Sequence, residues 1–121
     1  MLQLSHKNLQ VYQFSLKLVK EVYQHTKAYP KEEQYVLVSQ IRRAAISVCS
    51  NIAEGAARVS KREKKRFYEI SRSSLVEVDT QLEISLILDY VKKDRLDQLE
   101  AYLEATFKML SKMMNNLHVA K

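Results

Sequence analysis

One glycine, one proline, one cysteine and no tryptophan in 121 residues leave this chain poor in the residues that make turns, staples and rigid corners. Hairpins and bulges draw on Gly and Pro at nearly every reversal, so their scarcity excludes a sheet protein and leaves long helices with few connections. A phosphate-cradling loop or a dinucleotide fingerprint needs several glycines at fixed spacing, which Gly55 alone cannot supply. Cys49 has no partner for a disulfide or a zinc cluster and reads as a small buried hydrophobe. His6, His25 and His118 have no i,i+4 partner or HExxH context, so no catalytic residue, metal site or cofactor is expected and the chain does not read as an enzyme. A metal-dependent nuclease would need convergent carboxylates, whereas Glu54, Glu63 and Glu69 are scattered among basic residues. With no charged-then-apolar leader and no uncharged apolar run long enough to span a bilayer, the expectation is a soluble, cytoplasmic protein with no membrane partner.

Apolar residues make up 46% of the chain, ordinary for a globular protein, and the length suits one domain over residues 1–121. Stepping about 100° per residue places helices near 6–28, 31–55, 61–91 and 95–117. Pro30 suits the first turn of the second helix, followed by Glu32 and Glu33 at its positive end. Gly55 is placed to close that helix in a left-handed conformation, Ser60 and Glu63 form a capping box for the third, and Asp94 can cap the fourth. Short connections imply an all-α, antiparallel, up-down-up-down four-helix bundle.

The first helix carries Leu9, Tyr12, Leu16, Val19 and Tyr23 in one stripe and Val11, Phe14, Leu18 and Val22 beside it. Together they cover an arc of about 220°, well beyond the ~100° needed to bury one side. The end of the third helix, with Ile84, Leu86, Ile87, Leu88 and Val91, is apolar in nearly every direction. A lone bundle has no use for this surface, so a homo-oligomer is expected through Val11, Phe14, Leu18, Val22, Ile84 and Ile87. The competing reading is a thick core with some exposed apolar side chains.

Charge is the other asymmetry. Nine of the 20 Lys and Arg residues lie between Arg42 and Arg72, against three acids there, while the two flanks carry +2 and −2 and cancel. The net charge of +6 is therefore gathered in one quarter of the chain, and polyanions are what such a field attracts. Lys61, Arg62, Lys64, Lys65 and Arg66 open a helix, where the macrodipole disfavours cations by about 0.3–1 kcal/mol each before screening. The alternative is a solvated face softened by Lys65–Glu69 and Arg66–Glu69 pairs. Tyr68 borders the cluster and is the candidate for base stacking. Arg42, at the edge of the apolar arc, should need a carboxylate, with Glu77 or Asp79 as candidates. An antiparallel hairpin turning near residue 58 would set Glu54 beside Arg62, Asn51 beside Lys65 and Arg43 near Ser73 or Ser74.

Gln40-Ile41-Arg42-Arg43-Ala44-Ala45, then Ser50-Asn51-Ile52-Ala53-Glu54-Gly55, Arg58 and Ser60-Lys61 resemble the signature of the four-helix bundle family of 23S rRNA intervening-sequence proteins. Arg66-Phe67, Ser74-Leu75, Glu77, Gln81-Leu82-Glu83 and Asp89-Tyr90 continue the pattern, and Leu9, Val11 and Tyr29-Pro30 extend it over nearly the whole chain. The resemblance implies a bacterial, ring-forming subunit, pentameric in relatives, and a fold similar to the accessory protein of diversity-generating retroelements. It implies no demonstrated activity. Departures are Ala56-Ala57 after the glycine and Cys49 where many relatives have proline, which suggests a straighter second helix.

These observations converge on a non-enzymatic, oligomeric nucleic-acid-binding protein, with RNA or a ribonucleoprotein favoured over DNA. The alternative is a scaffold whose basic surface docks an acidic protein. Arg43, Arg58, Lys61, Arg62, Lys64, Lys65, Arg66 and Arg72 are the candidate contacts. Arg42, Asn51, Glu54, Gly55, Ser60, Glu63 and Glu77 are candidates for holding the helix 2–helix 3 junction.

Overall fold

The structure is a computed structural model that describes residues 1–117, and His118 lies outside them. Among the described residues there are four long helices and no strand: α1 (Gln10–Thr26), α2 (Leu37–Ala57), α3 (Lys61–Ile87) and α4 (Asp97–Asn115). Short 3-10 turns at Ser5–Asn8, Lys31–Glu33 and Lys93–Arg95 precede α1, α2 and α4. Each helix packs on two neighbours in the cyclic order α1, α2, α3, α4, with α2 and α3 in the most extensive contact. Contacts between α2 and α3 join residues whose numbers add to about 120, as two helices running in opposite directions require.

A 3-4 stripe on every helix builds the core. It reads Val11, Ser15, Leu18, Val22 and Thr26 on α1, and Ile41, Ala45, Val48, Ile52 and Gly55 on α2. On α3 it reads Tyr68, Ser71, Leu75, Val78, Leu82 and Ser85, and on α4 Leu99, Leu103, Thr106, Leu110 and Met114. This spacing seats side chains of one helix between those of its neighbours. The buried hydroxyls do not break the stripe, because each finds a carbonyl. Ser15 donates to Tyr12 O (2.6 Å), Thr26 to Val22 O (2.7 Å) and Thr106 to Tyr102 O (2.7 Å). Ser71 crosses to Val48 O on α2 (2.8 Å), which small residues on both helices permit.

The structure departs from several of the expectations drawn from sequence. The stripe of Leu9, Tyr12, Leu16, Val19 and Tyr23 is the outer one on α1, with Leu9 and Leu16 exposed. Val11, Leu18 and Val22, expected at an oligomer interface, are fully covered within their own chain. Phe14 is half-buried against the Tyr102 ring of α4 at 5.9 Å. The second helix starts not near Pro30 but at Leu37, because Val36 has non-helical torsions (φ −118°, ψ −96°). The turn before it is held by Tyr90, which donates to the Glu33 carboxylate at 2.8 Å and packs its ring, tilted by 49°, against that of Tyr29 at 5.3 Å. α3 ends at Ile87 rather than 91, closed by Tyr90 N–H to Ser85 O and Asp89 N–H to Leu86 O. These are the two hydrogen bonds of a Schellman cap, and Asp89 takes its left-handed position at φ 61°. Asp94 caps nothing: it lies in the preceding 3-10 turn, and Leu96 precedes α4 without a side-chain cap.

Candidate nucleic-acid interface

α2 runs through Gly55 to Ala57, and the chain reverses in Arg58, Val59 and Ser60 before α3 begins. Gly55 is therefore not a left-handed terminator; it is helical and has no positive φ. Its lack of a side chain matters because α3 passes close by: a Cβ there would lie 2.6 Å from Tyr68 Cε1 and 3.2 Å from Phe67 Cβ. Tyr68 is consequently buried, and burial pushes its hydroxyl above the ordinary tyrosine range. It offers no stacking face, contrary to expectation. Because α2 outruns the glycine, the register slips by about one turn from the expected pairing. Ser47, not Arg43, meets Ser74, with the two hydroxyls 2.9 Å apart, and within α2 Asn51 Nδ2 donates to the Ser47 carbonyl (2.8 Å) and hydroxyl (3.0 Å). Glu54 pairs with Arg58 one turn along at 3.1 Å, rather than with Arg62.

Ser60 opens α3 as expected, its hydroxyl accepting the Glu63 N–H at 3.3 Å. The five cations that follow divide by what they touch. Lys64 turns back and donates to the last carbonyls of α2, Gly55 O at 3.3 Å and Ala56 O at 2.9 Å. That is a helix C-cap made by a lysine from the next helix, favourable to the macrodipole of α2. Arg58 is likewise engaged, with its guanidinium 4.7 Å from the Phe67 ring centre and its charge shared with Glu54. Lys61, Arg62 and Arg66 are exposed and Lys65 is half-buried. Lys61, Lys65 and Arg66 make no ion pair or side-chain hydrogen bond among the described residues, so the Lys65–Glu69 and Arg66–Glu69 pairs that would have softened the repulsion are not formed. The four lie within about 140° of one helix face over the first two turns.

The other candidates are dispersed. Arg72 reaches α4, donating to Ser111 Oγ at 3.3 Å with its guanidinium 5.8 Å from the Phe107 ring centre. Arg43 is exposed about four turns from the junction along α2. Among the described residues Arg42 finds no carboxylate; Glu77 and Asp79 are both exposed on α3. Its Nε donates to Thr26 Oγ1 at 2.9 Å, and its guanidinium lies 4.3 Å from the Tyr23 ring centre. The end of α1 substitutes for an anion there: last-turn carbonyls and a tyrosine face stabilise a cation without neutralising it. No signal in the one-dimensional pattern pointed to Thr26 or Tyr23 as partners.

Among the described residues no group of His, Cys, Asp and Glu could hold a metal, and no helix is long and apolar enough to cross a membrane. Compared with known proteins, residues 7–112 match the family of 23S rRNA-intervening sequence proteins. The fold is similar to the crystal structure of a protein of unknown function from the S23 ribosomal protein family of Bacteroides thetaiotaomicron. The TM-score is 0.79 at 18% identity, covering 88% of this chain and 99% of that one. No curated protein matches.

Proposed function

The chain belongs to the 23S rRNA-intervening sequence protein family, and from that premise we propose that it is a non-enzymatic, oligomeric protein that binds RNA or a ribonucleoprotein through Lys61, Arg62, Lys65 and Arg66. The observation that carries this reading is the division of labour at the junction. Lys64 and Arg58 are absorbed into the packing, whereas Lys61, Lys65 and Arg66 make no ion pair or side-chain hydrogen bond among the described residues and share with Arg62 one face of a helix start where the macrodipole opposes cations. A helix start also presents N–H groups toward an anion, so phosphate oxygens would be met by backbone and side chains together. The S23 ribosomal name of the similar structure is in keeping with an RNA role.

Self-association draws support from apolar side chains left in water at the other end of the bundle. Ile87 is 79% exposed, and Val36, Ile84 and Leu88 line or flank an open groove between the start of α2 and the end of α3. In a ring each basic helix start would be repeated by symmetry, and the local fields would add.

The test is binding of a labelled RNA at several salt concentrations beside light scattering. Each phosphate neutralised contributes about −0.7 to the log–log salt slope for a single strand. Changing Lys61, Arg62, Lys65 and Arg66 together to Gln should therefore flatten the slope by up to about 2.8 and weaken binding to all sequences alike. Unchanged affinity and slope in that variant would reduce the cluster to a solvated face.

A further inference from the structure

Far from the junction, beside the start of α2, an open groove of about 450 Å³ is lined by Tyr23, Gln34, Tyr35, Ser39, Arg42 and Arg43, among others. Among the described residues no carboxylate lines it. Arg42 is held in place by Thr26, by the Tyr23 carbonyl at 3.5 Å and by the Tyr23 ring, none of which cancels its charge. Arg43 stands exposed next to it. Tyr35 is 91% exposed, so its ring is left open to solvent among the described residues. A fixed guanidinium, a second cation and an open aromatic face make an unusual combination for a solvated surface.

We propose that this groove is a second binding site, for one nucleotide of a single strand: its phosphate bridges Arg42 and Arg43, and its base stacks on Tyr35. An immobilised guanidinium presents its remaining N–H groups to phosphate without losing further side-chain freedom. An acidic peptide would satisfy the two arginines and leave the Tyr35 ring uncovered, whereas a nucleotide uses both. The site also supplies what the junction lacks, since Tyr68 is buried there and Phe67 lies beneath Arg58. Neither contact reads a 2′-hydroxyl, so RNA and DNA single strands are both bound. The proposal rests on the nucleic-acid reading above but concerns different residues.

The test measures fluorescence anisotropy of a labelled single-stranded RNA, the same sequence as DNA, and its duplex, with light scattering in parallel. Tyr35→Ala is expected to weaken both single strands about tenfold, the order of one lost base–aromatic stack, with the salt slope and duplex affinity unchanged. Tyr35→Phe should restore binding, because the ring and not the hydroxyl is used. Arg43→Gln should lower the single-strand slope by about 0.7. A bromouridine-substituted strand should cross-link to the peptide bearing Tyr35. The proposal is overturned if Tyr35→Ala leaves single-strand affinity intact while the four-Gln junction variant abolishes it; the functional reading then stands and the groove does not. It is overturned equally if Tyr35→Ala changes the particle mass, which makes Tyr35 a contact between copies, or if a poly-glutamate peptide needs Arg43 and RNA does not. If the unaltered protein binds no nucleic acid at any salt, the functional reading fails and carries this one with it.

Discussion

Gly55→Ala sets two opposing effects against each other at the helix junction. Inside a helix the substitution on its own stabilises by about 1 kcal/mol, because glycine gives up the most backbone freedom on folding. Here the added Cβ would stand 2.6 and 2.9 Å from two ring carbons of Tyr68 and 3.2 Å from Phe67 Cβ. Non-bonded carbons settle at about 3.5–4.0 Å, so the ring or the helices must move by on the order of 1 Å. Tyr68 is 5% exposed and has no path into solvent, and overpacking of this kind costs roughly 1–3 kcal/mol. The clash outweighs the propensity gain, leaving a net loss of about 1 kcal/mol, or roughly 3–6 °C in Tm for a chain of this size. Urea unfolding at fixed protomer concentration should show a lower midpoint with an unchanged slope. The decisive arm is the same substitution in a Tyr68→Ala background. With the ring gone, Gly55→Ala should become stabilising, and the change of sign measures the contact. Stabilisation in the unaltered chain, or loss in both backgrounds as a helix-terminator role would give, refutes the close-approach argument.

Asp89→Gly should stabilise the fold by about 1 kcal/mol, since a non-glycine residue occupies the left-handed position that ends α3; a midpoint that falls instead would assign Asp89 a contact of its own. The Tyr90 hydroxyl is pushed up to about 12, first by its hydrogen bond to Glu33 and then by burial and the charges of Glu33 and Glu32. A folded-state value above the ordinary 10 means that this contact stabilises at neutral pH and is lost as pH rises from about 10 through 12. Glu33→Gln should therefore shift one tyrosine to lower pH in an ultraviolet titration and flatten the alkaline loss of stability. Ile87→Asp, at a 79% exposed position, should reduce the particle mass in light scattering without lowering helicity, whereas Leu18→Asp should unfold the chain.

The locations of all four helices were legible because periodicity accumulates over many residues, but their ends were not. Val36 breaks what looked like a continuous second helix, and Asp89 rather than a glycine closes the third. The true core stripes were obscured by Ser15, Ser71, Ser85 and Thr106, which an apolar count skips. Their hydroxyls bond to carbonyls in or beside their own helices, so the burial penalty that usually keeps them outside is offset. A 3-4 pattern followed through serine and threonine would have found them.

Composition by itself pointed to the helical class and against glycine-dependent phosphate loops and cysteine-built sites, and residue order gathered the positive charge into one quarter of the chain. Tertiary structure alone decided which charges are available. Lys64 is turned onto the end of α2, Arg58 lies on Phe67, Arg72 reaches toward α4, and Arg42 is held by the end of α1 instead of by a carboxylate. A charge in sequence is a property of one residue. Its availability depends on which carbonyl, ring or acid a neighbouring helix brings within reach, and that is set by the α2–α3 register, in which Gly55 lies against Tyr68 and Phe67.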